Sequence, residues 1–82
     1  NIVPNYSRNL RSRELEGSVV IQFDITKIGK VKNVSVFKSS GHFELDAIAL
    51  EAVKQYLYTP TLKDGKPIKI EGKKKKFSFS LE

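Results

Sequence analysis

The feature that most constrains this chain is a short segment in which apolar and polar side chains alternate. Val19, Ile21, Phe23 and Ile25 are separated by residues that are mostly polar. Because successive side chains of a strand point to opposite faces of a sheet, this spacing predicts a strand that is buried on one face. The segment is the most hydrophobic strand candidate, so we expect it at the centre of a small sheet.

A turn and a second β-rich segment follow directly. Gly29 can adopt the positive φ that a tight turn needs, and Val31 to Lys38 is rich in β-branched residues. Together these features predict an antiparallel hairpin. Val34 and Val36 cannot share a face with Phe37 in a regular strand, so we expect either a bulge or a half-exposed Phe37.

Two segments have helical periodicity. An apolar pair four residues apart predicts a short amphipathic helix from about Asn5 to Glu14. Apolar residues at helical spacing predict a longer one from about His42 to Tyr56, with Ser40 or Gly41 as its N-cap. Two acidic residues in its first turn favour the helix dipole, namely Glu44 and Asp46.

The last third of the chain predicts a loop and then a long strand. The segment from Lys63 to Pro67 contains Asp, Gly and Pro, which indicates a loop. In the predicted strand Ile68 and Ile70 lie on even positions, but the apolar residues from Phe77 onward lie on odd positions. The strand must change face between Ile70 and Phe77, and we expect a bulge near Gly72.

The predicted fold class is α+β, with elements in the order α-β-β-α-β. Two helices are expected on one face of a three-stranded antiparallel sheet with strand order 2-1-3. This order places the lysine-rich last strand at an edge, where charge discourages aggregation of sheets. Residues 1–82 are expected to form a single domain, since a chain of this length builds one core.

Composition and charge narrow the function. The chain has one His and no Cys, and it contains no glycine-rich phosphate loop and no paired metal-ligand motif. We therefore expect no enzymatic activity, no cofactor and no metal site. The net charge is +6, with seven lysines between Lys63 and Lys76. Such a basic pole favours acidic partners.

The chain also lacks Met, so we expect it to be a fragment of a longer protein. No apolar run approaches the roughly 20 residues that span a bilayer. A membrane anchor, if the protein has one, is expected upstream of Asn1.

Several short motifs occur in a fixed order along nearly the whole chain, from Pro4 to Leu81. They are Pro4-x-Tyr6, Gly17 before the alternating strand, Gly29, Ser39-Ser40-Gly41, Leu45-Asp46, Tyr58-x-Pro60, Gly65-x-Pro67 and Phe79-x-Leu81. Their joint order resembles the C-terminal domain of the TonB family. In place of the second proline of the family's Pro-x-Tyr-Pro start, this chain has Ser7.

The resemblance implies a periplasmic domain of a protein anchored in the inner membrane of a Gram-negative bacterium. Such a protein engages ExbB and ExbD through its upstream part. It couples the proton motive force to the uptake of iron-siderophore, haem, cobalamin or metal complexes. Its C-terminal domain binds the TonB box of TonB-dependent outer-membrane receptors, which adds as a strand to an exposed sheet edge.

Transferred to this chain, the resemblance implies a partner-binding site in two parts. One is the last strand and the other is the segment around the Pro-x-Tyr motif. The expected residues are Lys74, Lys75, Lys76, Phe77, Ser78, Phe79, Ser80 and Leu81, together with Val3, Pro4, Asn5 and Tyr6.

Other functions remain open at this point. A domain like that of TolA has a similar size and also links the two membranes. Lysines beside Phe77 and Phe79 are compatible with a basic nucleic-acid-binding module, although the alternation of these phenylalanines with serines favours a place in the core. The lysine run could serve solubility alone. An exposed edge could also pair with a second copy and form a homodimer.

Overall fold

The alternating segment forms the central strand of a sheet in the computed structural model, which describes residues 15–80. The described chain contains one helix and five strands. They are β1 (Gly17–Ile25), β2 (Val31–Lys38), α1 (Phe43–Lys54), β3 (Thr61–Lys63), β4 (Lys66–Ile68) and β5 (Ile70–Phe79).

The fold class expected from the sequence, two helices on a three-stranded sheet, is wrong. Residues 15–80 contain a single helix, and their five strands form one three-stranded sheet and one two-stranded sheet. The larger sheet is antiparallel and has the order β2-β1-β5, so the last strand lies beside the first. The helix expected from Asn5 to Glu14 lies outside the described residues.

The smaller sheet is the element that the sequence interpretation missed. Asp64 and Gly65 have φ values of 53° and 78°, as the two central residues of a type I′ hairpin turn require. They connect β3 to β4, so the loop predicted from Lys63 to Pro67 is wrong. Ile68, which was expected in the last strand, pairs instead with Thr61.

The turn between β1 and β2 confirms the predicted hairpin and the role of its glycine. Gly29 has a φ of 86°, which is readily adopted only by glycine. A Cβ at this position would lie 1.9 Å from the carbonyl oxygen of Tyr58. The backbone N–H of Tyr58 donates a hydrogen bond of 2.9 Å to the carbonyl of Gly29. Gly29 therefore allows the turn to contact the chain that leaves the helix.

The core lies between α1 and the face of the larger sheet that carries the odd residues of β1. Val19, Ile21 and Phe23 are completely buried there. Burying each such side chain contributes on the order of 1.5–3 kcal/mol. Their buried partners from the helix and from β5 are Leu45, Ala49, Val53, Phe77 and Phe79.

The start of α1 depends on a side chain inside the helix. The N-cap is His42, which makes no side-chain capping bond, so the prediction of Ser40 or Gly41 is wrong. The Asp46 carboxylate accepts hydrogen bonds from the backbone N–H of Ser40 at 2.9 Å and from the hydroxyls of Ser40 and Ser39. Partial burial opposes ionisation of Asp46, but these hydrogen bonds outweigh it and lower its pKa. The Ser-Ser-Gly and Leu-Asp motifs thus form one structural unit.

Candidate functional site

β5 is the outermost strand on one side of the larger sheet. Its inner edge pairs with β1 in a continuous register from Lys73 opposite Phe23 to Phe79 opposite Gly17. No other strand of the described residues pairs with its outer edge. Such an edge presents backbone N–H and C=O groups to which an extended peptide can add.

A bulge sets where this regular edge begins. The register against β1 shifts between Phe23 and Ile25, next to Gly72, whose φ is 69°. This confirms the bulge that was predicted near Gly72. After the bulge, the odd residues of β5 lie on the core face. Phe77 and Phe79 are accordingly buried, and Ser78 between them is exposed.

One carboxylate holds this bulge. The side chain of Asp24 in β1 accepts a hydrogen bond of 3.0 Å from the backbone N–H of Gly72 and one of 2.7 Å from the side-chain amide of Asn33 in β2. The bond from Asn33 is the largest influence on the carboxyl group, followed by the bond from Gly72, and together they lower the pKa of Asp24. Asp24 therefore connects the bulges of the two outer strands.

The four consecutive lysines of β5 are divided between the two faces of the sheet. On the helix face, the Lys73 ammonium lies 6.0 Å from the centre of the Tyr58 ring, and that of Lys75 lies 5.9 Å from the Tyr56 ring. On the opposite face, the Lys74 ammonium lies 4.6 Å from the centre of the Phe37 ring. These distances are compatible with cation–π attraction.

The tyrosines of this cluster remain protonated at neutral pH. Burial raises the pKa of Tyr58, and burial together with the nearby Tyr58 raises the pKa of Tyr56. The two rings are 6.0 Å apart in an edge-to-face arrangement. They form an apolar platform under the lysines rather than a pair of acid and base groups.

The structure places most of the expected site residues on or next to one strand. Lys74, Lys75, Lys76, Phe77, Ser78 and Phe79 belong to β5, and Ser80 follows it directly. The remaining expected residues lie outside the described part of the chain, and these are Val3, Pro4, Asn5, Tyr6 and Leu81.

Sequence reasoning missed the partners of the lysines. The sequence indicated that Phe37 does not fit a regular strand, but it did not indicate the contact with Lys74, because the two residues lie on the two outer strands of the sheet. Tyr58 was indicated only by its place in the Tyr58-x-Pro60 motif. No pattern indicated the hydrogen bond from Gly72 to Asp24, which joins residues 48 positions apart.

Residues 15–80 lack two kinds of feature. Among residues 15–80 there is no group of three or more His, Cys, Asp or Glu side chains that could hold a metal ion. Within the same residues, no helix is long and apolar enough to cross a membrane.

Comparisons with known proteins agree on one family. Residues 3–81 match the family model described as "Gram-negative bacterial TonB protein C-terminal". A curated protein named "Protein TonB" from Vibrio cholerae serotype O1 is 36% identical over 67 residues, which are 82% of this chain and 28% of that protein. The chain therefore spans little more than a quarter of the length of this relative.

A solved structure has the same fold. It is described as a molecular characterization of the TonB2 protein from Vibrio anguillarum and superposes with a TM-score of 0.76. The two chains are 28% identical, and the match covers 96% of this chain and 74% of the other.

Proposed function

The chain belongs to the family of Gram-negative bacterial TonB protein C-terminal domains, and from this premise we propose that it is the receptor-binding domain of a TonB-type energy transducer. The domain lies in the periplasm and belongs to a protein anchored in the inner membrane. It binds the TonB box of TonB-dependent outer-membrane receptors. Through ExbB and ExbD, which engage another part of the protein, it couples the proton motive force to nutrient uptake.

The proposed nutrients are those of the family, namely iron-siderophore, haem, cobalamin or metal complexes. The proposed role of the domain is mechanical: it binds a peptide and transmits force, and it catalyses no reaction. Backbone pairing suits this role, because several strand-to-strand hydrogen bonds loaded together share a pulling force.

The observation that carries the proposal is the regular outer edge of β5. From Lys73 to Phe79 the strand keeps one register against β1, so the backbone groups on its outer edge recur at every second residue without interruption, as a further strand requires. In this arrangement the peptide backbone provides affinity, and side chains provide modest selectivity. The segment around Val3 to Tyr6 is proposed as a second contact region on the basis of the family resemblance alone.

The nucleic-acid alternative finds no support in the positions of the aromatic residues. Phe77 and Phe79 face the core and are 8% and 6% exposed, so their rings are not available for base stacking. A homodimer formed through β5 would use the same edge as the receptor peptide, and the two binding events would therefore compete.

A proline substitution tests the proposed edge. Ser78→Pro removes a backbone N–H and fixes φ, whereas the control Ser78→Ala removes only the hydroxyl. We expect Ser78→Pro to weaken binding of a TonB-box peptide by at least about tenfold and Ser78→Ala to leave it unchanged, measured by NMR titration of the labelled domain. Full binding by a folded Ser78→Pro domain would show that the edge is assigned wrongly.

The same test can be made on the peptide if Ser78→Pro does not fold. N-methylation of alternate backbone nitrogens of the peptide, in either of the two possible phases, removes donors without changing the protein. One phase should abolish binding and the other should have little effect, because alternate N–H groups of an added strand point toward the sheet. Equal binding of both methylated peptides would contradict strand addition.

A further inference from the structure

A second candidate binding surface lies at the end of the β1–β2 hairpin. A cleft of about 610 Å³ opens there, lined by the end of β1, the turn, the start of β2 and the residue before β5. Its volume falls within the range of about 300–1,000 Å³ that is usual for ligand sites. Its lysines, defined here as the cleft lysines, are Lys27, Lys30, Lys32 and Lys69.

The charge of this cleft is strongly one-sided. Among residues 15–80, four lysines line it and Asp24 is the only acidic lining residue. The Asp24 carboxylate already accepts hydrogen bonds from Asn33 and Gly72, so part of its capacity is used within the protein. Lys69 also lies 3.7 Å from Glu71, but both side chains of this pair are more than half exposed, and exposed pairs of this kind contribute little.

The lining also has an apolar part. Ile28 is 70% exposed at the turn and lines the same cleft. The alkyl stems of lysines provide further apolar surface while their ammonium groups stay in water. A ligand that fits both features has apolar groups for the lining and several separated negative charges for the lysines.

We propose that this cleft binds an acidic, extended polypeptide segment in which carboxylate and apolar side chains are interspersed. The cleft lysines come from three elements, the turn, β2 and the segment before β5. Long, flexible side chains that start from separate elements offer separate point charges rather than one rigid set of donors. Distributed point charges suit a series of carboxylates, whereas a compact phosphate is better held by a convergent set of donors. Asp24 within the cleft further disfavours a compact anion.

This site is separate from the β5 edge. It lies at the hairpin end of the sheet, beyond the Gly72 bulge, whereas the proposed peptide-pairing edge runs from Lys73 toward Phe79. The cleft therefore does not depend on strand addition, and the two sites can be tested independently.

The probe is a short N-acetylated peptide of alternating Glu and Leu residues, added to the labelled domain in an NMR titration. The comparison probes are the matching Gln and Leu peptide and inorganic phosphate. We expect the acidic peptide to shift the backbone amides of Ile28, Lys32 and Asn33, and the Gln peptide to leave them unchanged. Phosphate binding at these amides with equal or higher affinity would overturn the assignment to a polypeptide.

Matched double variants distinguish a site from bulk charge. Lys32→Gln with Lys69→Gln removes two cleft lysines, and Lys63→Gln with Lys66→Gln removes the same charge from the β3–β4 hairpin outside the cleft. We expect the first pair to weaken binding of the acidic peptide about tenfold and the second to change it less than about twofold. Equal weakening by both pairs would overturn the proposal.

The edge variant separates this inference from the proposed function. Ser78→Pro should weaken binding of the TonB-box peptide by at least about tenfold but leave the amide shifts at the cleft. Loss of the cleft shifts in a folded Ser78→Pro domain would mean that the acidic peptide also binds β5, and the cleft proposal would fail. Loss of TonB-box binding in the Lys32 and Lys69 variant would overturn the independence of the two sites.

Discussion

The two outer strands of the larger sheet offer very different edges. β2 departs from a regular register twice against β1, once next to Phe37 and once next to Asn33, whose φ is 55°. β5 has a single register shift, at Gly72, and is regular from there to Phe79. Because a bulge twists a strand and interrupts pairing, β2 is a poor template for a further strand and β5 is a good one.

The difference shows how a small domain can offer one edge that pairs with a further strand while its other edge does not. Within residues 15–80, bulges rather than a regular register mark the β2 edge. A single carboxylate, that of Asp24, bonds to a residue at a bulge in each outer strand. The regular part of β5 therefore starts at a position that is set by the central strand.

The largest change in stability is expected in a comparison of the two phenylalanines of the outer strands. Phe77 in β5 is 8% exposed, whereas Phe37 in β2 is 59% exposed. Phe77→Ala should lower the free energy of unfolding by about 3–4 kcal/mol, because it leaves a cavity in the core. Phe37→Ala should lower it by less than about 1 kcal/mol, the scale of an exposed cation–π contact. Urea denaturation measures both, and similar losses would contradict the difference between the strands.

The second effect concerns the bulge that begins the regular edge. A Cβ at Gly72 would meet no atom within 4 Å, but the φ of 69° is unfavourable for residues with a side chain. Gly72→Ala should therefore lower the free energy of unfolding by about 1–2 kcal/mol through backbone strain alone. Lys73→Ala, which changes the next residue, is the control. An unchanged urea midpoint for Gly72→Ala would argue against the bulge.

Acid should weaken the link between the two bulges. The pKa of Asp24 is lowered in the folded domain, so its contribution to stability is present above the unfolded value near 3.8 and is lost as the pH falls through the lower folded value. Asp24→Asn should reduce the thermal midpoint at neutral pH and flatten its decrease in acid. Asp46, whose pKa is also lowered, continues to titrate in this variant. An unchanged acid slope would contradict the role of Asp24.

The smallest effect is expected from the lysines on the face opposite the helix. Lys74→Gln combined with Lys76→Gln should slow association with an acidic TonB-box peptide by about twofold to fivefold and leave the dissociation rate constant unchanged. The association rate of the unsubstituted domain should fall with added salt toward that of the variant. Stopped-flow measurements at two salt concentrations test this. A change confined to dissociation would mean that the lysines contact the bound peptide.

The sequence predicted those elements whose side chains are divided between core and solvent. β1 and the helical segment each have a periodic pattern of apolar residues, and the bulge at Gly72 appears as a change of that pattern from even to odd positions. The structure confirms all three. The β3–β4 hairpin has no such pattern, since nearly all its side chains are exposed. Its Asp64-Gly65 turn was the available signal, and it was interpreted as a loop.

The candidate site could be predicted only in part for a related reason. The position of β5 follows from the order of elements, but its environment depends on contacts between distant residues. The Lys74–Phe37 contact and the Gly72–Asp24 hydrogen bond both join separate strands. Periodicity along one strand contains no information about such pairs.

Amide hydrogen exchange of the domain with and without a TonB-box peptide shows which edge of the larger sheet pairs with the peptide. We expect the peptide to slow exchange at alternate backbone amides between Lys73 and Phe79, while the amides of β2 keep their rates, because only β5 gains a new strand. Slowed exchange along β2 with unchanged rates in β5 would contradict this expectation and would place receptor binding at the bulged edge.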